Sequence, residues 1–104
     1  MPDPIRILLA DDHPLFREGV ALSLGTEPDF EVIAQTGSGE EAVELARRLR
    51  PDMALLDVEM AGMGGVAAAG KISASAPEIR IMMLTVSENR ENLLAALKVV
   101  SRHA

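Results

Sequence analysis

Ile5–Asp12, IRILLADD, runs a short, nearly continuous apolar stretch straight into two adjacent acids, Asp11 and Asp12. An apolar run of this length is the mark of a parallel strand covered on both faces. The acids at its end need a reason. Two like charges about 4 Å apart, in an effective dielectric near 20, cost on the order of 4 kcal/mol. Something should offset that repulsion.

The rest of the chain narrows what that could be. At 104 residues it makes one domain, Met1 to Ala104, with room for a single modest core. A hydrophobic share of 48% beside 25% charged residues describes an ordinary globular protein. No apolar run is long enough to cross a bilayer, and Met1–Arg6 lacks the organisation of a signal peptide, so the expected location is the cytoplasm with no membrane partner. Cysteine is absent, which removes disulfide, thiol and cysteine–zinc chemistry. The net charge of −6 argues against a direct grip on nucleic acid, and Phe16 and Phe30, the only aromatic residues, offer little base stacking. If DNA is involved, another domain must hold it.

Beyond Asp12, Pro14 suits a first helical turn behind the capping candidates Asp12 and His13, and Phe16, Val20 and Leu24 repeat at helical spacing up to a stop at Gly25. Phe30–Gln35 partly alternates, like an edge strand. Ser38 and Glu41 have capping-box spacing ahead of Ala42, Leu45, Ala46 and Leu49, and Pro51 ends that helix. Met53–Leu56 is a third strand closed by Asp57. A Gly- and Met-rich loop leads to an Ala-rich helix over Val66–Ala76, with Gly70 inside. Ile79–Leu84 is a fourth strand ended by Thr85, and Leu93, Ala96, Leu97 and Val100 mark a fourth helix. Alternating strands and helices predict an α/β fold, a doubly wound and mostly parallel sheet with helices on both faces.

In such a sheet, ligands bind beyond the carboxyl ends of the strands, near the point where strand order reverses. Asp11 and Asp12, Asp57 and Thr85 all end strands. If those strands are neighbours, the carboxylates share one crevice, and a cation among them is the natural remedy. Oxygen ligands with room for water suit Mg2+ or Mn2+. A carboxylate beside such an ion can act as a nucleophile toward phosphorus, with Thr85 donating to the phosphoryl oxygens. His13 reads as a surface turn or cap residue and stays outside the site. The scattered methionines read as gap fillers of core and loop.

Three stretches, ILLADDHPLFREGV, PDMALLDVEMAGMGG and IMMLTVSENRENLLAALK, together resemble the response-regulator receiver domain of two-component signalling, in order and spacing from Ile5 to about Lys98. The DDHPLFREG wording is similar to the NarL/FixJ subclass. The resemblance implies a flavodoxin-like fold with strand order 2-1-3-4. It implies that Asp57 accepts a phosphoryl group from a sensor histidine kinase, as a signalling domain rather than an enzyme acting on an outside substrate. It further implies that Asp11, Asp12 and Asp57, with the backbone carbonyl of Glu59, hold Mg2+, that Thr85 is the switch residue, and that a LuxR-type DNA-binding output normally follows.

Two departures from the family pattern stand out. Ala61 takes the place of the usual proline after the loop methionine, and the chain ends in VVSRHA where a fifth strand, its lysine and a fifth helix would follow. Lys71 and Lys98 sit on predicted helices and do not match that lysine. The expectation is therefore a receiver incomplete at its C-terminus, prone to pair with a second copy through an exposed sheet edge or the fourth helix. Two other functions fit the residues less well. A non-switching interaction module leaves the retained acids unexplained. A small-substrate phosphatase would use Glu59 as its second acid but has no room for a substrate cap.

Overall fold

The computed structural model describes residues 3–60, 62–84 and 97. The element order is β1 (Ile5–Ala10), α1 (Pro14–Gly25), β2 (Phe30–Thr36), α2 (Gly39–Leu49), β3 (Met53–Asp57), α3 (Gly65–Ser75) and β4 (Arg80–Leu84). The four strands are all parallel, in the order β2-β1-β3-β4. The expected fourth helix lies outside the described residues apart from Leu97, as do Ala61, Thr85 and Lys98. Among the described residues, no helix is long and apolar enough to cross a membrane.

The sheet divides the core into two layers by the period-2 alternation of its central strands. Leu8, Ala10, Ala54 and Leu56 face α2 and α3, meeting Ala42, Val43, Ala46, Ala68 and Ile72. Ile7, Leu9, Met53 and Leu55 face the other way, onto Val20 and Leu24 of α1, Phe30, Leu84 and Leu97. β1 and β3 are thus apolar on both faces, and helices must cover both. Met53 and Met60 are buried in these layers, with Met63, Met82 and Met83 packed against them, as expected of gap-filling methionines.

Helix ends depart from the sequence expectations in instructive ways. His13 occupies the N-cap of α1 but makes no side-chain cap, because its ring is drawn elsewhere. Gly25 ends the helix as expected, without a left-handed conformation, and the cap is Thr26, whose hydroxyl donates to the Ser23 carbonyl at 2.8 Å. At α2 only half of the capping box forms. Ser38 Oγ accepts from the Glu41 amide, while the Ser38 amide donates to Thr36 Oγ1 at 3.1 Å. The same helix ends on Arg50 with φ 49°, a left-handed position usually given to glycine. Arg6 of β1 sustains it, its guanidinium donating to the carbonyls of Arg50 at 2.9 Å and Leu49 at 3.0 Å. β2 extends one residue further than expected, and α3 and β4 are each offset by a residue, within the normal fraying of element ends.

The loop between β3 and α3 is held close to the sheet by two glycines. A Cβ on Gly65 would run into the Asp57 carbonyl oxygen and stand 2.7 Å from its carbon, and a Cβ on Gly39 would run into the Met63 carbonyl. Gly70, by contrast, lies exposed in mid-helix with nothing within 4 Å of a built Cβ. Gly70→Ala should therefore raise stability by about 0.5–1 kcal/mol. Gly65→Ala should lower it by about 1–3 kcal/mol, as expected for overpacking against backbone. Thermal denaturation followed by far-UV circular dichroism would separate them, and a Gly65→Ala variant melting at or above wild type would contradict the close approach.

Candidate functional site

Sheet order places the site. The chain passes from β1 outward to β2, then back across β1 to β3, so the direction of winding reverses between β1 and β3. Crevices at such reversals open beyond the carboxyl ends of the strands. Ala10 pairs with Leu56 across β1 and β3, and Asp57 pairs with Leu84 across β3 and β4. Asp11, Asp57 and the end of β4 therefore stand side by side at one edge of the sheet.

Asp11 and Asp57 are each only 1% exposed. Asp11 is anchored through its backbone: its amide donates to Thr36 O at 2.9 Å and its carbonyl accepts from Arg17 Nη1 at 2.8 Å. Its Oδ1 accepts from the His13 amide at 2.8 Å, closing a tight turn between β1 and α1. Asp57 Oδ1 accepts from the Glu59 amide at 3.2 Å. Its other oxygen, Oδ2, is buried with no hydrogen-bond partner. Asp12, partly exposed, completes the cluster.

Burial pushes the Asp57 carboxyl above its ordinary range; the Glu59 amide and His13 work against that, and the charges of Asp11 and Asp12 add to it. A buried carboxylate oxygen without a donor, beside two further acids, is costly unless a positive group joins it. The polypeptide supplies one in part. His13 Nδ1 lies 2.8 Å from Asp11 Oδ1, 3.2 Å from Asp12 Oδ1 and 3.4 Å from Asp57 Oδ2. The hydrogen bond with Asp11 raises the imidazole's proton affinity, and the charges of all three acids reinforce it against a smaller desolvation. One oxygen from each acid and the His13 nitrogen lie within 4.8 Å of one another. The three carboxylates, with the orphaned Oδ2 among their oxygens, fit a hard divalent cation.

The expected site residues are thus accounted for unevenly. Asp11, Asp12 and Asp57 come together. Of Glu59, expected to contribute its backbone carbonyl, the structure shows an exposed side chain and the amide on Asp57 Oδ1. Thr85 lies outside the described residues, one position past Leu84. His13, assigned by sequence to the surface, belongs to the cluster. Arg17 was not singled out at all, and its only signal was its place one turn into α1, from where it reaches back to the Asp11 carbonyl. Glu40 was likewise missed. It accepts from the Met63 amide at 3.0 Å, which lowers its carboxyl's proton affinity and tethers the β3–α3 loop to α2.

The comparisons with known proteins agree with this geometry. The family profile described as "Response regulator receiver domain" matches residues 7–102. The nitrate/nitrite response regulator protein NarL of Escherichia coli (strain K12) is 40% identical over 96 residues, which is 92% of this chain and 44% of that protein. The chain thus spans less than half the length of this relative. Among solved structures, the signal receiver domain of a NarL from Mycobacterium tuberculosis superposes with a TM-score of 0.78 at 33% identity, covering 93% of this chain and 78% of that one. The REC domain of AraT, a response regulator from Geobacillus stearothermophilus, gives 0.82 at 25% identity, with 95% and 94% covered. With its sheet order, its acid cluster and this match over most of its length, the chain belongs to the response regulator receiver domains, the phosphoacceptor signalling modules of two-component systems.

Proposed function

We propose that Asp57 is the phosphoacceptor of this receiver, and that Asp11, Asp12 and Asp57, with the Glu59 backbone carbonyl, hold Mg2+ or Mn2+ beside it. The observation that carries this is Asp57 Oδ2, a buried carboxylate oxygen without a hydrogen bond, facing two further acids at the sheet's reversal point. The bound cation would supply charge neutralisation to the phosphoryl group in transfer.

Each residue then has a task. The Glu59 amide holds Asp57 Oδ1 and leaves Oδ2 to attack phosphorus. The O–P bond forms as the N–P bond of a sensor kinase's phosphohistidine breaks, and the departing imidazole nitrogen takes up a proton. Arg17 fixes the Asp11 carbonyl, and Gly65 admits the loop that carries Glu59. Thr85, next after Leu84, would donate to a phosphoryl oxygen and so report the modification to its surroundings. The same site would also admit water for dephosphorylation, so the domain promotes both gain and loss of its own phosphoryl group. Phosphorylation replaces the single carboxylate charge with an acyl phosphate of about −2 at one pocket. In the whole protein, that change would control a LuxR-type DNA-binding output, a role supported by the likeness to NarL.

Incubation with Mg2+ and an acyl phosphate donor, followed by intact mass measurement, should show one added phosphoryl group. The adduct should vanish with EDTA or in Asp57→Asn, and fall sharply in Asp11→Asn. An adduct that persists in Asp57→Asn would place the acceptor elsewhere.

The buried charge also has a cost that can be read without phosphate. The folded carboxyl of Asp57 titrates above its unfolded value, so the penalty of ionising it is absent at pH below the unfolded value and complete above the folded one. At pH 7 without divalent cations, Asp57→Asn should therefore raise stability by about 1 kcal/mol, or about 4–8 °C in Tm. Added Mg2+ should stabilise wild type and leave the variant nearly unchanged. A variant that melts below wild type in EDTA would contradict the assignment.

A further inference from the structure

Asp11, Asp12 and Asp57 are oxygen donors, and oxygen donors alone do little to separate Mg2+ from the first-row transition cations. The fourth group in the cluster is a nitrogen. Two features of its placement bear on what it can do.

The first is spacing. Ligands held 2.0–2.1 Å from an octahedral ion, at right angles to one another, stand about 3 Å apart. His13 Nδ1 stands 2.8, 3.2 and 3.4 Å from one oxygen of Asp11, Asp12 and Asp57 in turn. The ring nitrogen is therefore already at ligand distance from every carboxylate in the cluster. The orphaned Asp57 Oδ2, buried on the inner side, is among its three neighbours.

The second is freedom. His13 is the N-cap of α1, yet its side chain caps nothing, and no helix amide competes for Nδ1. Its own amide donates to Asp11 Oδ1 and fixes the turn that aims the ring at the acids. The ring is 45% exposed, so it approaches from the solvent side while Asp11 and Asp57 close the inner side. Nδ1 shares a proton with Asp11 Oδ1 at 2.8 Å; a cation takes that proton's place, and with the remaining proton on Nε2 the imidazole presents it a lone pair.

We propose that His13 is a nitrogen ligand of the cation site and its selectivity residue, favouring first-row transition cations such as Ni2+, Co2+ and Mn2+ over Mg2+. This rests on the reading of Asp11, Asp12 and Asp57 as a cation site and extends it to which cation is taken. An imidazole strengthens binding along the order Mn2+, Co2+, Ni2+ and gives little to Mg2+, which prefers oxygen and retains its water. A receiver so equipped responds to which divalent metal is at hand.

The test uses untagged protein and metals alone. Pulsed electron paramagnetic resonance of bound Mn2+ should show nitrogen modulation, which changes from the 14N to the 15N pattern when histidine is 15N-labelled. The modulation should disappear in His13→Ala and persist in His103→Ala, which removes the chain's other histidine. Calorimetric titrations should show tighter binding of Ni2+ than Mg2+, with His13→Ala lowering Ni2+ affinity about tenfold or more and Mg2+ affinity little. Mn2+ bound with no histidine modulation, or equal losses for Ni2+ and Mg2+, would overturn the role of His13 and leave the acid site intact. Failure of wild type to bind any of these cations would overturn both.

Discussion

The structure turns on the burial of Asp57 next to Asp11. Two carboxylates, each almost wholly withdrawn from solvent, end adjacent parallel strands where the sheet reverses its winding. A fold seeking stability alone would not place them so, because desolvation and mutual repulsion both oppose ionisation there. Most of the surrounding chain can be understood as fixing that arrangement. The apolar strands β1 and β3 set the two acids side by side, and Gly65 lets the following loop return against the Asp57 backbone. Glu40 ties that loop to α2, and Arg17 ties the Asp11 backbone to α1. Rigid strands on two sides and tethered loops on a third leave the carboxylates little room to move apart.

Held so, the acids would, on the proposed reading, bind positive charge and, through it, a phosphoryl group. The same strain makes the site responsive. A cation would relieve it, and a phosphoryl group on Asp57 would change the local charge again, beside the end of β4. On that reading the site would link a chemical event at one oxygen to the end of a strand.

The fold was largely legible because its elements carry plain signals. Ile5–Ala10 and Met53–Asp57 are apolar on both faces, and four strands alternating with helical patterns leave few topologies other than a doubly wound parallel sheet. The acids were legible for a related reason: a charged residue at the end of a buried strand is conspicuous. His13 was not, because its role depends on where β3 brings Asp57, a long-range fact with no local signature. Arg50 was hidden for a similar reason. Its left-handed backbone is sustained by Arg6, from a strand far away in sequence. Gly39 and Gly65 read as ordinary loop and turn residues until the carbonyls of Met63 and Asp57 are seen beside them. In each case the sequence shows the residue, and only the assembled sheet shows what it touches.

The most direct test of the central claim is a titration of uniformly 15N-labelled protein with Mg2+, followed by two-dimensional amide NMR. If the strand-end acids form one cation site, the perturbed amides should cluster at Asp11–His13, Val58 and Glu59, and the end of β4, with the far end of the sheet around Arg6 and Asp52 unchanged. Perturbations spread over the acidic surface, or concentrated away from β1 and β3, would show that the buried carboxylates do not act as one site.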